Sequence, residues 1–352
     1  MGVIRDRTRD ERVAREWFWY NRCVNQLLVT NKDGYREARL IGRVFYDGAW
    51  HDDGVVFKTT YTPETIDALY TAKGAYLYDE ILRVEDEGYL KEQFIGFIKR
   101  QTTLAGKHVL DFGSGCASSS ILLAREGAMV TSVELMETYR TAAKLRVRDE
   151  KLDGRVRVSP ATDMIHLPFR PASFDLVVLN AVIEHMKPKE RGPILRHLSS
   201  FLKPGGLLIV TETPNRLWPY DSHTTRLPFV SWLPLSLASA LARVLRPREF
   251  GDKTRDDLIY DGIVGATWWG IVRALPRDVH SLPTPPRAEH RAYFARLRQR
   301  KTGVMRLAVE LLTAKFFFLA LFLNFFSKRV PINAFFPYLN IAFSKEGDTM
   351  RP

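Results

Sequence analysis

The residues best suited to chemistry fall in one short stretch, Val109-Leu-Asp-Phe-Gly-Ser-Gly-Cys-Ala117. An apolar run feeds Gly113 and Gly115, and Ser118, Ser119 and Ser120 open the segment beyond them. Glycines at such a turn let the backbone bend sharply and approach a ligand closely. The N–H groups of a helix start suit a carboxylate or a phosphate. The pattern departs from a dinucleotide-binding loop, which wants Gly or Ala where this chain has Ser118. Asp111, just before the first glycine, would repel a pyrophosphate and favours a ligand with positive charge. Glu134 follows at the end of the next apolar run, about twenty residues past the glycines, where an acid is placed to accept from both ribose hydroxyls. Asp163 and Met164 come later still, an acceptor for an adenine amino group and a thioether that packs well on a ring.

The ligand so described is a nucleoside carrying positive charge, such as S-adenosylmethionine with its ammonium and sulfonium. Residues 104–213 resemble the core of the class I S-adenosylmethionine-dependent methyltransferases, especially the ubiquinone/menaquinone-biosynthesis-like branch. The resemblance is carried by the glycine stretch, Glu134, Asp163-Met164, the run Leu167 to His185 (LPFRPASFDLVVLNAVIEH) and the run Leu202 to Thr213 (LKPGGLLIVTET). It implies S-adenosyl-L-methionine as cofactor, held by Asp111, Gly113, Ser114, Gly115, Glu134, Asp163, Met164 and Asn180. Where the family usually has a third glycine, this chain has Ala117. The resemblance covers roughly a third of the chain and leaves the leader and most of 214–330 unread.

Methyl transfer from a sulfonium asks mainly that nucleophile, methyl carbon and sulfur be held in line. A hydroxyl nucleophile also gains from a base, and imidazole titrates near neutral pH. His185 lies just past the fourth apolar run, and His223 lies in the Pro-rich loop 214–228 beside Tyr220, Asp221 and Arg226. His185, His223 and Tyr220 are the candidate catalytic residues. The expected reaction is methyl transfer, at oxygen, to a small-molecule or lipid-linked acceptor. C-methylation of an isoprenoid quinone and a scaffold that binds cofactor without turnover stand as alternatives. Nucleic acid is disfavoured, because Asn180-Ala-Val-Ile replaces the Asn-Pro-Pro-aromatic tetrapeptide usual in amino-methylating enzymes of nucleic acids.

The elements that must position these residues are legible as alternating strands and helices. Strand candidates are His108–Phe112, Met129–Glu134, Arg155–Ala161, Phe174–Asn180 and Leu207–Glu212; helix candidates are Ser118–Glu126, Glu137–Glu150 and Lys189–Leu202. Such alternation predicts a parallel sheet with helices on both faces, and the resemblance implies the doubly wound α/β fold, with a mostly parallel seven-stranded sheet, of Rossmann-like class I methyltransferases. Gly127 and Lys203-Pro-Gly-Gly206 supply stop signals. Thr62 as cap and Pro63 at the first position predict an earlier helix. The predicted divisions are an N-terminal extension at 1–60, the cofactor-binding core at 61–213, a substrate-capping region at 214–286, a helical insertion at 287–330 and a last strand and tail at 331–352. Within the extension, Trp17–Tyr20 and Arg39–Trp50 are short strand candidates, with a turn at Asn31–Gly34. Asp278–Leu282 is a sixth strand candidate, 266–275 a short helix, and the final strand is firm from Tyr338, past Pro337.

Lysine and arginine outnumber aspartate and glutamate, 52 to 40, giving a formal charge of +12 that attracts anions. The two cysteines, Cys23 and Cys116, support neither a disulfide framework nor a CxxC metal cluster and fit a reducing, cytoplasmic setting. The charged N-terminus lacks the apolar segment of a secretory signal. Residues 287–328 combine a basic stretch with the run Phe316 to Phe326, too short to span a bilayer. That pairing predicts a helical lid resting on an anionic membrane surface, peripheral to its inner face; a core helix packed on the sheet, with its basic neighbours solvated, stands as the alternative. Oligomeric state is left open.

Overall fold

The computed structural model describes residues 24–86, 90–161, 163–284, 287–291, 303–326 and 330–347. The strand candidate at Trp17–Tyr20 lies outside them. Seven strands form one mostly parallel sheet in the order β11-β12-β10-β9-β6-β7-β8, as the resemblance implied. They are β6 (His108–Phe112), β7 (Met129–Glu134), β8 (Val156–Pro160), β9 (Phe174–Asn180), β10 (Leu202–Pro214), β11 (Val279–Ser281) and β12 (Tyr338–Lys345). The chain divides into two compact units, one drawn from 1–91, 114–126 and 130–161, the other from 92–113, 127–129 and 162–352.

In the first unit the leader folds as an antiparallel sheet of β1 (Val24–Lys32), β2 (Tyr35–Gly42) and β5 (Val55–Thr59), with a hairpin of β3 (Val44–Tyr46) and β4 (Ala49–His51). The turn predicted at Asn31–Gly34 joins β1 to β2. The helix Pro63–Lys73 starts as its sequence dictates: Pro63 holds the first position and the Thr62 side chain accepts from the Thr65 N–H. Leu40, Ile66, Leu69, Ile81 and Ala142 meet in one buried cluster. β7 and β8 pair in parallel, and the helices Ser118–Arg125 and Glu137–Asp149 accompany them.

In the second unit β6, β9 and β10 pair in parallel, each rich in residues buried on both faces. β12 runs antiparallel to β10, and Pro337 falls just before it, where a missing N–H is harmless. The Lys203-Pro-Gly-Gly206 stretch, expected to stop the preceding helix, also extends the strand expected from Leu207. It follows the helix Pro188–Ser200, yet belongs to β10: pairing with β9 passes from Leu202↔Phe174 to Leu207↔Leu176, so the intervening residues bulge out. Of the insertion predicted as helical throughout, 287–291 and Gly303–Phe326 are helical, and 292–302 lie outside the described residues.

Candidate active site

In the first unit the glycine loop is stapled to β7. Ser114 N–H donates to the Val133 carbonyl at 3.1 Å, and the Ser132 hydroxyl donates to Ser114 Oγ at 2.7 Å. Gly115 N–H donates to Glu134 Oε2 at 3.0 Å, while Glu134 Oε1 accepts from the N–H groups of Leu135 and Met136 at 2.7 and 3.0 Å. Three of the carboxylate's roughly four acceptor positions are thus taken by backbone. The remaining capacity suits one ribose hydroxyl, against the two that spacing alone allowed. Ala117 takes a left-handed φ of 66° before the helix Ser118–Arg125, the conformation a third glycine would hold without strain.

A cation that sequence reading missed sits at this loop. Lys73 Nζ, in the last turn of its helix, lies 3.9 Å from where a Cβ on Gly115 would be. It pairs with Glu80 at 3.5 Å and lies over the Tyr139 ring at 4.4 Å. An ammonium beside backbone N–H groups can hold a carboxylate such as that of a methionine moiety. The only sequence signal was a lysine ending a helix, which ordinarily serves the helix dipole.

Beneath the loop Arg146 is completely buried. Its guanidinium donates to Glu80 Oε1 at 2.9 Å, Ser118 Oγ at 2.8 Å, the Cys116 carbonyl at 3.3 Å, the Glu80 carbonyl at 2.6 Å and Tyr61 Oη at 2.9 Å. Burial alone would raise the Glu80 carboxyl, but Lys73 and Arg146 outweigh it and hold it down at about 2. Burial pushes the Cys116 thiol up to about 12, so this cysteine is chemically quiet.

In the second unit Asp111 is buried in β6, and Gly113 follows with φ 73°. A Cβ on Gly113 would fall 2.9 Å from both Cγ atoms of Val182, so only glycine fits there. Asn180 ends β9, and its Oδ1 accepts from Thr211 Oγ1 at 2.9 Å. Asp163 is engaged by its own loop: it accepts from the N–H groups of Ile165 and His166 and pairs with the His166 ring at 2.8 Å. These partners hold its carboxyl below the ordinary range, despite the opposing effect of burial. Met164 beside it is half-buried.

The two candidate histidines do come together, with ring centroids 5.9 Å apart. His185 sits on the short turn Ile183–His185 after β9, and its Nδ1–H donates to the Tyr260 carbonyl. His223 follows an aspartate that caps the loop: Asp221 accepts from the N–H groups of His223, Thr224 and Thr225. Glu184, which sequence reading passed over, joins them. It is fully buried, its Oε2 accepts from Thr213 Oγ1 at 3.2 Å, and burial raises its carboxyl above the ordinary range. Tyr220 is half-exposed in a bridge to Pro228, with no hydrogen bond to either histidine among the described residues. A cavity of about 510 Å³ is lined by Lys189, Arg216 and Arg255, by Lys187 paired with Asp256 at 2.6 Å, and by apolar residues such as Val230 and Ile259. That size accommodates a small-molecule ligand.

A family described as a methyltransferase domain matches residues 110–210. This segment is similar to a methyltransferase domain. A ubiquinone biosynthesis O-methyltransferase of Coxiella burnetii is 32% identical over 120 residues, covering 34% of this chain and 49% of that protein. One of the same description from Stutzerimonas stutzeri is 26% identical over 175 residues, covering 49% of this chain and 74% of that protein. The chain thus spans about half the length of the first of these relatives. A crystal structure of an S-adenosylmethionine-dependent methyltransferase from Methanosarcina mazei is 26% identical, covers 34% of this chain and 57% of that one, and superposes with a TM-score of 0.30. The methyltransferase domain contains the glycine loop, Glu134, Asn180, Glu184 and His185; His223 and the cavity's Arg216 and Arg255 lie beyond it.

Proposed function

We propose that the chain is an S-adenosylmethionine-dependent methyltransferase that methylates an oxygen of a small-molecule or lipid-linked acceptor carrying an acidic group. The observation that carries the cofactor reading is Glu134, locked onto the Gly115 N–H with one acceptor position to spare. The cationic and apolar lining of the cavity supports an acceptor with an anionic head and an apolar body, and the Glu184, His185, His223 cluster supports chemistry at a hydroxyl. Calorimetry tests the cofactor half. Glu134→Ala should weaken S-adenosylmethionine binding by about 1–3 kcal/mol, through loss of a hydroxyl hydrogen bond and of the Gly115 staple. Equal affinity in the variant would sink the ribose assignment. Transfer of labelled methyl into lipid, glycan and nucleic-acid fractions identifies the acceptor class.

The acceptor reading extends to a membrane surface. No helix among the described residues is long and apolar enough to cross a membrane. The helix Gly303–Phe326 has two apolar faces instead. Phe317 and Leu321 pack inward on Ile332 and Phe336. Val304, Leu307, Leu311, Phe318, Phe322 and Phe325 recur at helical spacing on the outer face, with Val304 86% and Phe325 71% exposed. An exposed apolar stripe of that extent marks an interaction surface. Residues 287–329 hold ten lysines and arginines against two glutamates, and each basic side chain near anionic lipid contributes about 1 kcal/mol. The protein should co-float with anionic liposomes at low salt, and Phe318→Ser, Phe322→Ser, Phe325→Ser together should leave it at the bottom of the gradient. A folded wild-type protein that does not float refutes the membrane reading.

A further inference from the structure

We propose that Glu184, His185 and His223 form a binding site for one divalent transition-metal ion of zinc type. Their ligating atoms lie within 4.8 Å of one another, and His185 Nε2 stands 4.0 Å from Glu184 Oε1. A tetrahedral metal at roughly 2.0–2.2 Å from each donor holds any two of them about 3.3–3.6 Å apart. Donors as far apart as 4.8 Å therefore need to close by about 1.2–1.5 Å, within reach of side-chain torsions.

Three further observations prepare the site. The Nδ1–H of His185 is committed to the Tyr260 carbonyl, which fixes the tautomer and leaves the Nε2 lone pair directed away, the arrangement that orients metal-bound imidazoles. Glu184 is fully buried, and while Thr213 holds Oε2, Oε1 has no hydrogen-bond partner. A buried carboxylate oxygen left in that state is costly, and a cation bound to it removes the cost. Gly262 passes so close that a Cβ there would lie 2.8 Å from His223 Cδ2 and 3.3 Å from Glu184 Cγ, so the chain forms a wall against both ligands. The nearby cation, Arg191, does not fill the role: its Nε and Nη1 donate to the carbonyls of Met186 and Gly265, and its Nη2 makes no hydrogen bond to Glu184.

Two imidazoles and one carboxylate favour zinc and its neighbours over magnesium or calcium, which prefer oxygen ligands throughout. Three protein ligands leave a fourth position open. The site deepens the acceptor assignment proposed above, and rests on it only for what would occupy that position, an acceptor oxygen.

The test uses the full chain stripped with a chelator and titrated with cobalt(II), with zinc(II) as competitor. One equivalent of cobalt per chain should give ligand-field bands in the visible that zinc abolishes. Loss of a ligand should weaken binding at least as much as loss of an orienting partner, about 10–100-fold, in His185→Ala, His223→Ala and Glu184→Gln. His223 is exposed, so its variant keeps the test decisive even where Glu184→Gln fails to fold. No stoichiometric cobalt uptake by the wild type, or equal uptake by the His223 and His185 variants, overturns the proposal. The titration contains neither S-adenosylmethionine nor acceptor, so its outcome is independent of the Glu134 calorimetry.

Discussion

Replacing His185 by alanine is expected to lower the rate constant for methyl transfer by about 10²–10⁴, with S-adenosylmethionine affinity unchanged. The residue proposed to hold the cofactor's ribose, Glu134, is far away in sequence and has its own hydrogen-bond set, so binding and turnover should separate. His185 is anchored through Nδ1 to Tyr260 and faces Glu184 and His223 with Nε2. Whether that nitrogen receives the hydroxyl proton or binds a cation, its removal leaves an acceptor hydroxyl without assistance. His223→Ala should fall in the same direction. The measurement is single-turnover methyl transfer under saturating cofactor, with affinity checked by calorimetry. Full turnover in both variants would show that the acceptor needs no such help, as for an activated carbon nucleophile, and would replace oxygen methylation by carbon methylation as the better reading.

Arg146→Ala is expected to lower the free energy of unfolding by about 3–5 kcal/mol, because breaking a buried ion pair from one side strands the other charge. Glu80 would keep Lys73, at 3.5 Å, the hydroxyl of Ser118 and the weaker influence of Arg83, and Tyr61 would lose its guanidinium partner. Urea unfolding at neutral pH reads the effect directly, and an unchanged midpoint would show that the network adds no net stability. The pH dependence has a definite sign. The Glu80 carboxyl is held at about 2, against 4.5 ordinarily. Its contribution is therefore present above pH 4.5 and is lost as pH falls from there toward 2. In the alanine variant that acid-dependent loss should shrink, since part of the charge holding the carboxyl down is gone.

What the sequence determined by itself were features settled within a few residues. Thr62-Pro63 starts a helix because cap and fixed φ act locally. Pro337 places the beginning of the last strand at Tyr338 because it lacks an N–H. The apolar run into Gly113-Ser-Gly115, followed by an acid ending the next strand, already implied that Glu134 meets the loop at Gly115, since a βαβ connection brings those two positions together. The tertiary structure decided whatever depends on residues far apart along the chain. Arg146 looks like one more basic residue on a charged helix, and is buried only because Glu80, Tyr61 and Ser118 converge on it. Glu184 reads as a strand-end acid, and becomes a candidate ligand only because Gly262 and the capped loop at Asp221 press His223 toward it. In the helix Gly303–Phe326 apolar residues occur on every side, so periodicity could not separate the face that packs on Ile332 from the face that meets solvent. Local signals set backbone conformation through torsions and neighbouring hydrogen bonds. Burial of a charge, and the choice among several apolar faces, are set by partners that the chain order does not reveal.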